Sequence, residues 1–249
     1  MIATTYPLTI QTQIDRLFRI ATQRPGCAQV SLGGLSVQQT RGGAAAIPWW
    51  LSGGISAGDV QGAWRAIGVA NYAVSLINLN NPGTDNLIEG VAPTWDTTTG
   101  WTGNALNMYL IAPDLDQATG TLLVRFSGAI IQGVTCPMGW NITSGRRFAI
   151  YPSRATDEHS YRLGNVEVEV AGRVSGGVQA LSNKGYLNGV PETNTASFTN
   201  QTSSPFILAR NNNGTPDLYF DGSVQAAVQY NRKLTDGEIA AVSTAMAAL

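Results

Sequence analysis

The chain has 249 residues, charged side chains make up only 12% of it, and its formal charge is −1. That balance leaves no basic patch of the kind that binds nucleic acid or an anionic membrane, and no run of about 18 apolar residues is present to cross a bilayer. Two cysteines, Cys27 and Cys136, are too few for a disulfide framework or a zinc site, and both are expected to be reduced, inert thiols.

Residues 1–52 are expected to form an arm. In "TQIDRLFRIA", Ile14, Leu17, Phe18 and Ala21 recur at helical spacing, with Thr12 and Asp15 three apart as in a capping box, so a short amphipathic helix is predicted. A glycine-broken stretch of small residues follows and ends in Trp49 and Trp50. The apolar stripe needs a partner. The arm either folds back over its own domain or docks on a neighbouring subunit, with Ile14, Leu17, Phe18, Trp49 and Trp50 as the candidate assembly interface. A second helix is predicted in "SAGDVQGAWRAIGVANY", where Val60, Trp64, Ile67 and Asn71 fall near helical spacing despite two internal glycines.

From "GVAPTWDTTTGWTGN" onward the chain becomes short apolar runs separated by turn residues, the pattern of an all-β sandwich or barrel over residues 53–249. Asn188-Gly189 and Asp221-Gly222 each stand between strand-like runs and predict hairpin turns. In "SVQAAVQY", Val224, Ala226, Val228 and Tyr230 alternate with Ser223, Gln225, Ala227 and Gln229, which predicts a strand with one buried face. The last element is a helix. Thr235 and Glu238 have the spacing of a capping box, and Ile239, Val242, Met246 and Leu249 form one stripe behind it.

Taken in order, "LLVRFS" (Leu122 to Ser127), "FAIY" (Phe148 to Tyr151), "YLNG" (Tyr186 to Gly189), "FILAR" (Phe206 to Arg210), "YFDG" (Tyr219 to Gly222) and "YNRKLTDGE" (Tyr230 to Glu238) resemble the laminin-G-like, concanavalin A-like lectin/glucanase family. The resemblance covers about residues 57–249. It implies a jelly-roll sandwich of two antiparallel sheets, sealed by the short C-terminal helix. The front segment "ANYAVSLINLNNPGTDNLIEGVAPTWDTTTGWTG" is similar to versions of this domain in bacteriophage structural and tail proteins.

Such a fold hosts hydrolases, lectins and structural modules, so function has to come from a site. A retaining glycanase needs two carboxyl groups about 5–5.5 Å apart. In "VEVEV", Glu167 and Glu169 share a strand face, but Ala171 stands where the related glucanases carry a third acid, and the glutamates are expected to face solvent. His159, the lone histidine, is expected in a surface loop. Asp114 and Asp116 in "PDLD" offer oxygens to calcium but lack the glycine and further ligands of a calcium loop, so no cofactor is expected. For sugar binding, exposed aromatics beside amides and carboxylates point to Trp95, Asp96, Trp101 and Asn104, and to Arg210, Asn211 and Asn212.

The resulting expectation is a non-catalytic bacteriophage virion component, on a capsid or a tail, displaying a lectin-like domain. A dedicated host-glycan adhesin and a glycan hydrolase are the alternatives. Its expected partners are other virion proteins, further copies of itself through the arm, and host surface glycans, without nucleic acid or membrane insertion. The N-terminus lacks the basic-then-apolar order of a signal peptide, so synthesis in the host cytoplasm is expected.

Overall fold

A computed structural model describes residues 31–32, 35–36, 46–128, 133–143, 145–154, 157–198 and 200–249. The chain divides into two units, Met1–Ala46 and Ile47–Leu249, a break a few residues earlier than composition suggested. In the first unit, strands β1 (Ser31–Leu32) and β2 (Leu35–Ser36) pair antiparallel. The predicted helix carrying Ile14, Leu17, Phe18 and Ala21 lies outside the described residues, as does Cys27.

The second unit is an all-β sandwich. One sheet runs β13 (Val166–Ala171), β12 (Glu158–Leu163), β11 (Arg146–Tyr151), β10 (Met138–Thr143), β18 (Phe206–Ile207), β7 (Tyr109–Ile111) and β4 (Ile88–Val91), with β19 (Arg210–Asn212) beside β10 and β20 (Thr215–Asp217) beside β19. The other runs β16 (Val190–Pro191), β15 (Gly185–Leu187), β14 (Gly176–Leu181), β9 (Thr121–Ser127), β21 (Ser223–Tyr230), β6 (Gly100–Thr102) and β5 (Thr94–Asp96), with β3 (Val60–Arg65) also paired to β21. The small pair β8 (Leu115–Asp116) and β17 (Thr202–Ser203) lies apart from both. Pairing is antiparallel throughout except where β19 lies parallel to β10.

Between the sheets, Trp64, Trp101, Phe126, Trp140, Phe148, Tyr161 and Phe220 fill the principal core. A second apolar layer covers the outer face of the second sheet. There Ile239, Val242 and Met246 of the C-terminal helix (Asp236–Ala247) pack with Leu123, Val178, Ala180, Val228 and Tyr230. The central strands are therefore buried on both sides, which is why "TLLVRFS" reads as a continuous apolar run. The helix cap has the predicted geometry: the Glu238 amide donates to Thr235 Oγ1 at 3.3 Å, and the Thr235 amide donates to Glu238 Oε2 at 2.9 Å. At the other end, Arg125 of β9 donates to the Met246 carbonyl at 3.0 Å, placing a cation where the helix dipole favours one.

Four expectations change. Trp49 and Trp50 do not belong to an arm: Trp49 is buried in the layer under the C-terminal helix, edge-on to Trp50, and Tyr230 donates its hydroxyl to the Trp50 carbonyl. The second helix is strand β3, because five residues paired along β21 satisfy more backbone groups than an isolated glycine-containing turn of helix. Strand β21 does not keep one phase: a bulge between Val224 and Ala226 turns Val224 and Ala227 to the core between the sheets and Ala226, Val228 and Tyr230 to the helix. Asn188-Gly189 makes its hairpin, with φ of 50° and 82°, but Asp221-Gly222 carries the chain from one sheet to the other, and Asn213-Gly214 makes a hairpin turn instead.

If the helix holds the second sheet closed, Thr235→Ala lowers the free energy of unfolding by about 1 kcal/mol, the usual size of a lost cap. Met246→Ala, at a fully buried position, lowers it by roughly 2–5 kcal/mol. Denaturant titration of both variants checks this, and unchanged midpoints show that the helix is merely attached.

Candidate functional site

A polar cleft of about 790 Å³ opens among Ala57–Gln61, the segment around Asn80 and Asp85, the turn carrying Asp114, Asp116 and Thr119, Thr202 of β17, and Asn231. Its walls are fixed by amides. Buried Asn78 accepts from the Ala63 amide at 3.1 Å and donates to the carbonyls of Gln61 and Thr84, which ties the 78–86 loop to β3. Asn80 donates to the carbonyls of Ala57 and Val60 at 3.1 and 3.0 Å, and Asn231 donates to the Gly58 carbonyl at 3.0 Å. Gln61 reaches across to the Asp114 carbonyl at 2.6 Å, and the Ser204 hydroxyl donates to the Asp114 carboxylate.

What faces the opening is a set of oxygens and amides. Asn81, Asp85, Thr119 and Thr202 are exposed and spend no side-chain hydrogen bond on the protein among the described residues. Among the described residues, three carboxylates line the cleft and no arginine or lysine does. Such a surface accepts from several hydroxyls at once and repels an anion. Among the described residues no aromatic ring lines it, so the cleft offers hydrogen bonds rather than a stacking surface. Among the described residues no cluster of three or more metal-ligating side chains occurs, and Asp116 spends one oxygen on the Ala118 amide at 2.8 Å.

The residues after β21 brace this cleft from behind. Arg232 donates to Asp59 at 2.8 Å and grips Glu238 with both terminal nitrogens, at 3.0 and 2.6 Å, which holds the Glu238 carboxyl down at about 2. Lys233 turns inward. Its ammonium donates to the carbonyls of Gln117 and Ser182 at 2.6 and 2.8 Å and lies 4.0 and 4.9 Å from the ring centres of Phe198 and Phe148. Those contacts replace part of its lost hydration. Burial still pushes it down to about 7.

Of the residues singled out for sugar binding, Trp95 and Trp101 are cross-strand partners on β5 and β6, but most of the set is consumed by the fold. Trp101 is fully buried and donates to Ser75 at 2.8 Å; Trp95 is half-buried and donates to the Ala66 carbonyl. Asp96 caps the turn at Thr98 and Thr99, while Asn104 accepts from the amides of Leu106, Asn107 and Met108. Arg210 is buried between Asp217 and the Tyr151 hydroxyl, Asn211 donates to the Ser204 carbonyl, and Asn212 accepts from Asn141. Of the sequence candidates only Asp114 and Asp116 line the cleft.

Two further side chains are placed differently from expectation. Glu167 does not simply face solvent: Arg154 and Arg162 hold it at 2.9 and 3.0 Å, Arg147 approaches to 3.8 Å, and Arg154 also pairs with Glu169. His159 lies on strand β12, buried, between the Gly172 carbonyl and Glu192. Cys136 is a free, buried thiol whose pKa burial pushes up to about 12.

No protein-family model matches the chain, and no curated protein matches it. Solved structures share its fold. Domain 4 of AbnA, a GH43 extracellular arabinanase from Geobacillus stearothermophilus, solved in complex with arabinotriose, superposes with a TM-score of 0.55 at 12% identity, over 74% of this chain and 98% of that one. Trypanosoma rangeli sialidase matches with TM-scores of 0.59 in complex with 2,3-difluorosialic acid and 0.58 with sialic acid, each at 14% identity and over 95% of this chain. This chain spans about 39% of the sialidase chain. At such identities the likeness is one of fold: a sandwich also found in proteins that handle glycans.

Lys233 makes stability depend on pH. Its folded value of about 7 lies below the ordinary 10.5, so between those values the unfolded chain binds the extra proton and stability rises with pH. The full penalty is present below about 7. From about pH 6.5 to about pH 9 the chain gains roughly 2–3 kcal/mol from this group, and Lys233→Met removes that slope. Urea midpoints at the two pH values check it; an equal slope in both proteins refutes it.

Proposed function

We propose that the chain is a non-catalytic carbohydrate-binding sandwich module and that the cleft around Asp114 and Asn81 receives a neutral oligosaccharide. The observation that carries this reading is the lining: three carboxylates, four amide side chains and no cation around about 790 Å³. That volume lies within the range of small-molecule sites. Carboxylates and amides in fixed positions match the alternating donors and acceptors of sugar hydroxyls. The absence of a basic lining residue argues against a sialylated or uronic ligand. The AbnA domain, which shares the fold over nearly its whole length, was solved with a neutral trisaccharide.

A binding role fits the acids better than hydrolysis does. An acid catalyst must hold its proton near neutral pH, which takes burial or a like-charged neighbour. Asp85 and Asp114 are exposed, and Glu167 is surrounded by arginines. Display on a bacteriophage virion belongs to this reading through the sequence resemblance, with the residues before Ile47 as the docking arm.

Calorimetric titration with arabinotriose and a panel of neutral oligosaccharides should give a Kd between about 10 μM and about 1 mM for at least one of them. The double variant Asn81→Ala/Asp85→Ala, at exposed positions, should weaken binding about tenfold. Binding of sialylated glycans in preference to neutral ones sinks the ligand class. Release of reducing ends, lost in Asp114→Asn, moves the chain to the glycan-processing class.

A further inference from the structure

A second opening shares no residue with the cleft. Between the edge strand β13 of one sheet and the edge strand β16 of the other lies a slot of about 530 Å³, floored by Leu163, Val166 and Val168 and walled by residues 191–196. The floor valines come from the inner face of β13, beyond the reach of the second sheet, so Val166 is left exposed. In a finished sandwich edge such valines would be covered.

One polar group stands over this apolar floor, and its placement is unusually determined. Glu192 Oε2 takes the Tyr161 hydroxyl at 2.6 Å and His159 Nε2 at 2.8 Å. His159 Nδ1 donates to the Gly172 carbonyl at 2.6 Å, since a carbonyl can only accept, so Nε2 donates to Glu192 in the imidazolium form, as an ion pair. Gln179 in turn donates to the Tyr161 oxygen at 3.2 Å. Two buried side chains, His159 and Tyr161, the latter braced by buried Gln179, thus hold one oxygen of a carboxylate that lines the slot. The second oxygen, Oε1, has no hydrogen-bond partner among the described residues, and the whole side chain is only 19% exposed. Beside it Asn194 and Thr195 are exposed and also line the slot.

The geometry points to a second ligand site here, one that takes a single sugar ring. The ring lays its apolar face on Val166 and Val168, donates a hydroxyl to Glu192 Oε1, and meets the Asn194 amide and Thr195 hydroxyl at its rim. A carboxylate fixed by buried donors is a preorganised acceptor, which loses little freedom when a hydroxyl arrives. An apolar floor with few, convergent polar groups is the general form of a small-ligand site. Burial of one sugar ring gives weak affinity, so the slot suits a monosaccharide unit at millimolar concentration rather than a long chain. The inference shares the glycan class of the cleft but rests on separate residues, so the two stand or fall apart.

The test uses the full chain with carbon-13-labelled valine and leucine methyls, titrated with methyl α-L-arabinofuranoside, methyl β-D-galactopyranoside and methyl β-D-glucopyranoside. Saturable shifts of the Val166 and Val168 methyls below about 50 mM are expected with at least one probe. Glu192→Gln, which keeps the shape but removes the charge, should weaken that binding about tenfold, and Asn81→Ala/Asp85→Ala should leave it unchanged. If Glu192→Gln fails to fold, Val168→Phe, which fills the slot from its floor and spares the carboxylate, decides by abolishing the shifts. Silent methyls with all three probes overturn the site, as do shifts that survive whichever variants fold. Side-chain amide signals of Asn80 and Asn81 report the cleft separately. A cleft response with a silent slot removes only this inference, and a slot response with a silent cleft upholds it while removing the cleft.

Discussion

The structure depends on one short junction, the nine residues from Tyr230 to Glu238, in which nearly every side chain ties down a different part of the sandwich. Tyr230 bonds the turn at Trp50, Asn231 the turn at Gly58, Arg232 both Asp59 and the first turn of the helix, and Lys233 the carbonyls of Gln117 and Ser182. Leu234 is buried, Thr235 and Glu238 cap the helix, and Asp236 accepts from Lys184 and Tyr186. The constraint behind this is simple. The second sheet is apolar on both faces, so it requires a cover outside as well as a partner inside. The junction aims the helix at that outer face, and the bonds that do so also fix the back wall of the cleft.

What was legible in the sequence is what depends on neighbours along the chain. The cap at Thr235, the stripe Ile239–Val242–Met246 and the turn at Asn188-Gly189 are local, and each lies where its spacing placed it. The two-sheet sandwich was legible from turn punctuation. Strand β3 was not, because Val60, Ala63 and Trp64 are buried on opposite faces of a strand covered on both sides, and such a pattern imitates a helix. The phase of β21 was hidden by a bulge that no residue type announces.

The site was the least legible part. Its lining comes from segments near residues 57, 80, 114, 202 and 231, and only the fold brings them together. Tryptophan composition misled, since a ring nitrogen that finds a buried partner, as Trp101 finds Ser75, makes tryptophan a core residue. The buried chain from Gln179 through Tyr161 and Glu192 to His159 was equally out of reach, since it joins β12 to β14 and to a loop far along the chain. In both openings the buried amides and rings orient the groups at the surface.

The position of β21 bears on how the molecule comes to exist. This strand lies in the middle of its sheet, between β9 and β3, yet it is drawn from residues 223–230. Until it emerges from the ribosome, β9 and β3 are open edges with apolar faces, separated by a gap only that strand can fill. Contacts so distant along the chain form late and slowly. Between the synthesis of β9 and that of β21, a nascent chain therefore carries two adhesive edges that invite self-association.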